Sequence, residues 1–192
     1  MLGLATSMLL LPLLAADEKM IPTPGSKVEF PASVTESVGA KQVEMRLTGT
    51  ALRQKAFFSV YAVGSYVATD AKLKNADELA TADVAKRLHL IMERDVSGKD
   101  MSSNIRAMIA GNFPGEFADE LKLLDDYCAK LTLKKGSDVV LVYTPGAGFT
   151  ATIGRNQALE IANPKFAGAV WHIYFGKKNL GVAVKRGLST RL

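Results

Sequence analysis

The sequence predicts an α+β domain, an antiparallel sheet whose helices are grouped together instead of alternating with strands. Two observations predict it. Apolar residues recur every second position in 41–48 and 86–94, whereas the spacing between Ser97 and Leu131 is helical. Strand-like segments then return between Asp138 and Ile161, separated by tight-turn residues. Composition fits a globular chain: of 192 residues, 48% are hydrophobic and 22% charged, with 16 glycines and 7 prolines. That excludes a disordered chain, a collagen-like repeat and a cysteine-stapled miniprotein. A chain of this length buries about 70% of its unfolded surface, enough to fold without metal or disulfide.

Residues 1–16 read as a secretory signal peptide. Leu9 to Leu14 form a short apolar core, Ala15-Ala16 supply small residues for cleavage, and Asp17-Glu18-Lys19 turn abruptly polar, although no Lys or Arg precedes the core. The apolar stretch is shorter than the about 20 residues a membrane span needs, and no later window is long enough. A periplasmic or secreted location is therefore expected. Residues 17–40 follow as a leader, loose from Asp17 to Lys27 where Pro22, Pro24 and Gly25 cluster, ending in a first strand. The domain proper is expected over 41–192.

Within it, Lys41 to Thr48 alternates, with Val43, Met45 and Leu47 on one face. Ala56 to Val67 is nearly continuous in aromatic and β-branched residues and should be covered on both faces. A short helix is expected over Asn75–Ala85. In Lys86–Arg94, Leu88, Leu90 and Met92 point inward. Ser97-x-x-Asp100 resembles a capping box and opens a helix with Met101, Ile105, Met108 and Ile109 on one stripe. Pro114 restarts a second helix, Gly115 to Leu131. Strands follow at Asp138–Tyr143, Phe149–Ile153 and Ala158–Ile161. Asn163-Pro164 caps a further helix that Gly176 stops, and a last short helix runs from Asn179 to Leu188.

The usual catalytic signatures are missing. One cysteine and two distant histidines match no metal-site spacing, and no cofactor is expected. Gly146-x-Gly148 is followed by a strand, so it is a hairpin turn and not a phosphate loop. No serine stands in a G-x-S-x-G elbow. Cys128 lies on the apolar stripe Phe117, Leu121, Leu124 and Leu131, the setting of a buried inert thiol. Asp125-Asp126 belong to a solvated helix face. The net charge is +5, and Lys177, Lys178, Lys185, Arg186 and Arg191 form a basic C-terminal group without interleaved aromatics, so no nucleic-acid partner is expected.

The informative segment is Leu47 to Val67, which sets Arg53 and Tyr61 among apolar neighbours. A guanidinium stays charged in a protein, and stranding it in an apolar cleft costs several kcal/mol, about 3–5 when its partner is missing. It therefore calls for an anion, and a carboxylate accepts two parallel N–H bonds from it. Eight residues of straight strand span about 27 Å, so Arg53 and Tyr61 meet one head group only if the chain turns between them. A turn near Ala56-Phe57 would oppose them, yet no Gly, Pro or Asn marks it.

This segment resembles the chalcone isomerase-like family, in particular its exported bacterial branch. Four further stretches carry the resemblance: Glu93 to Met101, Asp138 through Gly146-Ala-Gly148, Phe166 to Gly176, and the ending Val184 to Leu188. The resemblance implies an open-faced β-sandwich, a curved antiparallel sheet with helices packed on it and an apolar cleft between. It implies that Arg53 and Tyr61 match the Arg and Tyr that hold a ligand carboxylate in the fatty-acid-binding members. Where the plant isomerases carry a catalytic Tyr and a Lys, this chain has Met101 and Asn104. A Met donates no hydrogen bond, so no residue is assigned a catalytic role. The expectation is an exported, non-catalytic binder of a fatty acid or similar amphipathic carboxylate, its site formed by Arg53, Tyr61, Met101 and Asn104. The alternative is an isomerase of the intramolecular-lyase type acting on an unknown enone or lipid.

Overall fold

The computed structural model describes residues 19–192, so the expected signal peptide lies outside the described residues. Fifteen residues at Lys41–Lys55 (β4) and eleven at Phe58–Ala68 (β5) form the central hairpin. Around it the chain builds a seven-stranded antiparallel sheet. Its other strands are Ser33–Val38 (β3), Lys86–Met92 (β6), Asp138–Thr144 (β9), Gly148–Ile153 (β10) and Leu159–Ile161 (β11). Their spatial order is β11-β10-β9-β6-β5-β4-β3. The sheet curls strongly: Arg87 of β6 reaches across two strands to pair with Glu36 of β3 at 2.8 Å.

One face carries the helices, which are Ala76–Thr81 (α1), Gly98–Asn112 (α2), Ala118–Cys128 (α3), Pro164–Phe175 (α4) and Val182–Gly187 (α5). Between β6 and β9 the chain leaves the sheet to make α2 and α3, tied by the short pair Val96–Ser97 (β7) and Thr132–Leu133 (β8). The opposite face holds a smaller core of Phe30, Met45, Leu47, Ala62, Tyr66, Ala68 and Ala85. With a core on each side, β5 is buried continuously from Tyr61 to Ala68. That is why its sequence does not alternate. In β6, Leu88, Leu90 and Met92 are buried and the residues between them only half-buried, matching its period of two.

Several expected boundaries shift. The segment expected as a loose leader is folded from Lys19 onward. Met20–Pro22 (β1) pairs with Glu29–Pro31 (β2), and their ribbon puts Phe30 over the second core. Helix α1 ends at Thr81 and not at Ala85, where the chain is already turning into β6. Helix α3 begins at Ala118 because Pro114 and Gly115 form a turn and Phe117 takes a left-handed conformation at the N-cap. The last helix covers only Val182–Gly187. Gly176 does end α4, but with φ −69°, so no left-handed cap is involved. A Cβ there would meet His172 Nδ1 at 2.6 Å, and close approach is what demands glycine.

Ser97 caps α2 as expected, its Oγ accepting from Asp100 N at 3.0 Å. At the next residue, a Cβ on Gly98 would lie 1.9 Å from the Cys128 carbonyl oxygen. The start of α2 is thereby set directly against the end of α3. This fixes the helix whose stripe of Met101, Ile105, Met108 and Ile109 packs on the main core.

Candidate functional site

The β4–β5 turn consists of Ala56 and Phe57, so Arg53 and Tyr61 become direct cross-strand partners. Side chains of opposed residues in an antiparallel pair share a face. The register shifts between Arg53 and Gln54, an irregularity of the kind that re-aims a side chain. Ala56 supplies the turn with φ 53°, at the position where such two-residue hairpins usually place glycine. Sequence gave no turn residue here because an alanine accepts the strained conformation.

Behind the pair lies a cavity of about 120 Å³ between sheet and helices. Arg53, Lys55, Val60 and Tyr61 line it from the hairpin. Met101, Asn104, Ile105 and Met108 come from α2, and Val170, Ile173 and Tyr174 from α4. A smaller void of about 30 Å³ continues inward, sharing Met101, Ile105, Leu141, Val170 and Tyr174 as walls. Cys128 lines that inner void, is buried, and has its thiol pushed up to about 11 by desolvation, so it is no nucleophile near neutral pH.

Arg53 is half-buried. Its Nη1 donates to the Leu180 carbonyl at 3.2 Å, and among the described residues no carboxylate forms an ion pair with it. A guanidinium carries five donors, so one carbonyl leaves most of them available. Tyr61 and Tyr174 face one another with hydroxyls 3.4 Å apart. That is longer than the usual 2.7–2.8 Å of an O–H···O bond, so both hydroxyls keep capacity to donate elsewhere. Burial raises the pKa of both phenols, against a lowering pull from Arg53, and both stay protonated at neutral pH. The Arg53 guanidinium and two phenolic donors therefore converge on an apolar chamber whose lining also includes Lys55.

Of the four residues expected at the site, the structure brings all four to the same cavity, in different roles. Met101 contributes an apolar wall. Asn104 lies exposed at the rim, where its Nδ2 donates to the Asp100 carbonyl at 2.6 Å, which ties one of its two donors to its own helix. Tyr174 and the Leu180 carbonyl were missed. Helix α4 is buried on nearly every side, leaving no polar face to mark a functional position. The Tyr174 hydroxyl, on a helix whose other polar side chains are Lys165 and His172, was the available signal. Among the described residues, no group of three His, Cys, Asp or Glu is placed to hold a metal, and no helix is long and apolar enough to cross a membrane.

The C-terminal basic group is partly spent on internal contacts. Lys185 pairs with Asp77, and Lys178 donates to the Gly111 carbonyl at the end of α2. Asp125 and Asp126 lie on α3, where they pair with Arg106 and Lys122.

A curled antiparallel sheet, helices on one face and a cavity between them define an α+β fold with an internal chamber. The sequence profile described as chalcone isomerase-like matches residues 27–188, and the chain belongs to that family. Among solved structures it is similar to a fatty-acid-binding protein from Arabidopsis thaliana. The TM-score is 0.67 and the identity 20%, with 90% of this chain and 97% of the plant chain covered. No curated protein sequence matches this chain.

Proposed function

We propose that the protein is an exported binder of a fatty acid or similar amphipathic carboxylate. Arg53, Tyr61 and Tyr174 hold the head group, and the tail enters the chamber lined by Met101, Ile105 and Met108. The observation that carries this reading is Arg53: a half-buried guanidinium at an apolar cavity, hydrogen-bonded to one carbonyl and lacking an internal counter-ion among the described residues. The similarity to a plant fatty-acid-binding protein supports the ligand class. The short apolar run ahead of Asp17 supports export.

The cavity's size bounds the ligand. An engineered cavity of about 150 Å³ accommodates benzene, so the chamber as it stands accepts roughly a six-carbon group. Longer tails require the flexible Met101 and Met108 side chains to move or the inner void to open. Binding is favoured over turnover because Met101 has no proton to exchange.

Calorimetric titration with decanoate and with decanol tests this. Decanoate should bind, decanol should bind at least tenfold more weakly, and Arg53→Ala should lose about ten- to hundredfold toward decanoate alone, the range of a hydrogen bond to a charged group. Equal binding of acid and alcohol, or an unaffected Arg53→Ala variant, would overturn the reading.

A further inference from the structure

The β4–β5 turn projects two adjacent aromatic rings away from the protein. Phe57 is 96% exposed and Phe58 62% exposed, whereas nearly all the other aromatic side chains are inside. Isolated apolar residues on a surface are ordinary. Two neighbouring rings at the apex of a hairpin, on a turn held in left-handed backbone by Ala56, form a projecting apolar point.

Cations surround that point. The Arg94 guanidinium lies 5.5 Å from the Phe58 ring centre. Lys55, exposed, is the cross-strand partner of Phe58 and also lines the cavity. Of the acidic side chains beside Arg94 in sequence, Asp95 is paired with Lys134, while Glu93 accepts from the Ser26 hydroxyl and keeps its charge, so Lys55 and Arg94 outnumber it. The apex is thus apolar at its end and positive at its base. An aqueous protein partner would need an apolar socket rimmed with acid, whereas an anionic bilayer presents both properties at any point of its surface.

We propose that this apex docks the protein on an anionic lipid bilayer. Phe57 and Phe58 enter the boundary between head groups and acyl chains, while Lys55 and Arg94 rest among the anionic head groups. The hairpin that inserts also carries Arg53 and Tyr61, so docking sets the cavity mouth at the lipid surface. The docking itself does not depend on what the cavity holds.

Vesicle co-sedimentation of the full chain tests the proposal, using phosphatidylcholine alone and phosphatidylcholine with one quarter phosphatidylglycerol. The parent should bind the anionic vesicles and release them as salt rises. Phe57→Ser with Phe58→Ser should weaken that binding about a hundredfold, about tenfold for each ring withdrawn. Its decanoate titration should match the parent's, because neither ring lines the cavity. Loss of decanoate binding by Arg53→Ala with vesicle binding intact would separate failure of one reading from failure of the other. A Phe57→Trp variant gives a direct readout, since Trp171 is fully buried and its emission serves as a fixed background. The new indole should shift to shorter wavelength with anionic vesicles and be quenched by brominated acyl chains. Unchanged vesicle binding by the double serine variant would overturn the proposal. So would equal binding to neutral and anionic vesicles, or a self-association that the double variant abolishes in a protein that ignores vesicles.

Discussion

Raising the pH from about 7.5 to about 9 should stabilise the folded protein by about 1 kcal/mol, and Lys86→Met should abolish the effect. Lys86 opens β6 and is only 1% exposed. Its Nζ donates to the Leu79 carbonyl at 3.0 Å and the Ala82 carbonyl at 2.9 Å. It also lies 4.9 Å from the Tyr143 ring centre and 5.5 Å from that of Trp171. Burial nevertheless outweighs the help of nearby Asp83 and pulls the ammonium pKa from 10.5 to about 8. Between those values the unfolded lysine keeps its proton while the folded one has released it. The unfolded state then binds more protons, so stability rises with pH. At 1.36 kcal/mol per pH unit, the interval from 10.5 to about 8 corresponds to about 3 kcal/mol in all.

Only the first part of that gain is visible. The Cys128 thiol, raised from 9.0 to about 11, lets the unfolded state lose a proton first, and from about pH 9 its loss of stability increasingly offsets the lysine's gain. Tyr143, raised from 10.0 to about 12, acts likewise above 10. Urea midpoints at pH steps between about 7.5 and about 9, taken as the difference between the parent and Lys86→Met, isolate the lysine. A flat profile in the parent, or a rise that survives in Lys86→Met, would refute the reasoning.

Three further outcomes follow from the site. Tyr174→Phe should weaken decanoate binding about five- to tenfold, the worth of one hydrogen bond, with a urea midpoint close to the parent's. Met101→Ala should join the outer cavity to the inner void and move the preferred ligand to longer tails, each added buried methylene contributing about 0.8 kcal/mol; titration of acids from hexanoate to myristate checks it. Gly98→Ala should destabilise by about 1–3 kcal/mol, because its methyl meets the Cys128 carbonyl, and should weaken ligand binding through displacement of α2; denaturation and decanoate titration of the same sample measure both.

How far the fold was legible depends on how each segment is buried. Lys41–Thr48 alternates because Val43, Met45 and Leu47 face the smaller core, and Lys86–Met92 because Leu88, Leu90 and Met92 face the helices; in each strand the other side is covered less completely, and such strands announce themselves by period. Residues 61–68 announce themselves by composition, having a core on both faces. The leader ribbon did neither: β1 and β2 have three residues each, too few for a period, and they are held by Phe30 and Ile21 on the smaller core and by Thr50 and Tyr66 donating to the Pro22 and Pro31 carbonyls. Lys86 was illegible as a core residue because a lysine at a strand start normally lies in water. Arg53 and Tyr61 were legible as residue types, but their opposition depends on a turn that Ala56 makes without the usual glycine. Tyr174 was hidden in a helix whose burial on nearly all sides removes the contrast that marks a site.

The chemistry of the cavity wall bears on what it does with a ligand. Its polar side chains are a guanidinium, an ammonium, two phenols and an amide. The phenols are shifted further toward the protonated form by burial, so near neutral pH they donate hydrogen bonds and accept no proton. The guanidinium and ammonium are donors only. Neither described histidine lines the chamber, and no carboxylate does. Isomerisation through an enolate needs a group that takes a proton from carbon or oxygen and one that returns it. A wall made almost wholly of donors around an apolar interior suits a ligand that arrives already anionic. The same donors would bind a carboxylate less well as the pH falls toward its own pKa, because a protonated acid loses the charge that Arg53 recognises. Decanoate affinity should therefore decline as the medium is acidified below the acid's titration range, whereas retention of full affinity there would show that the tail alone is being read.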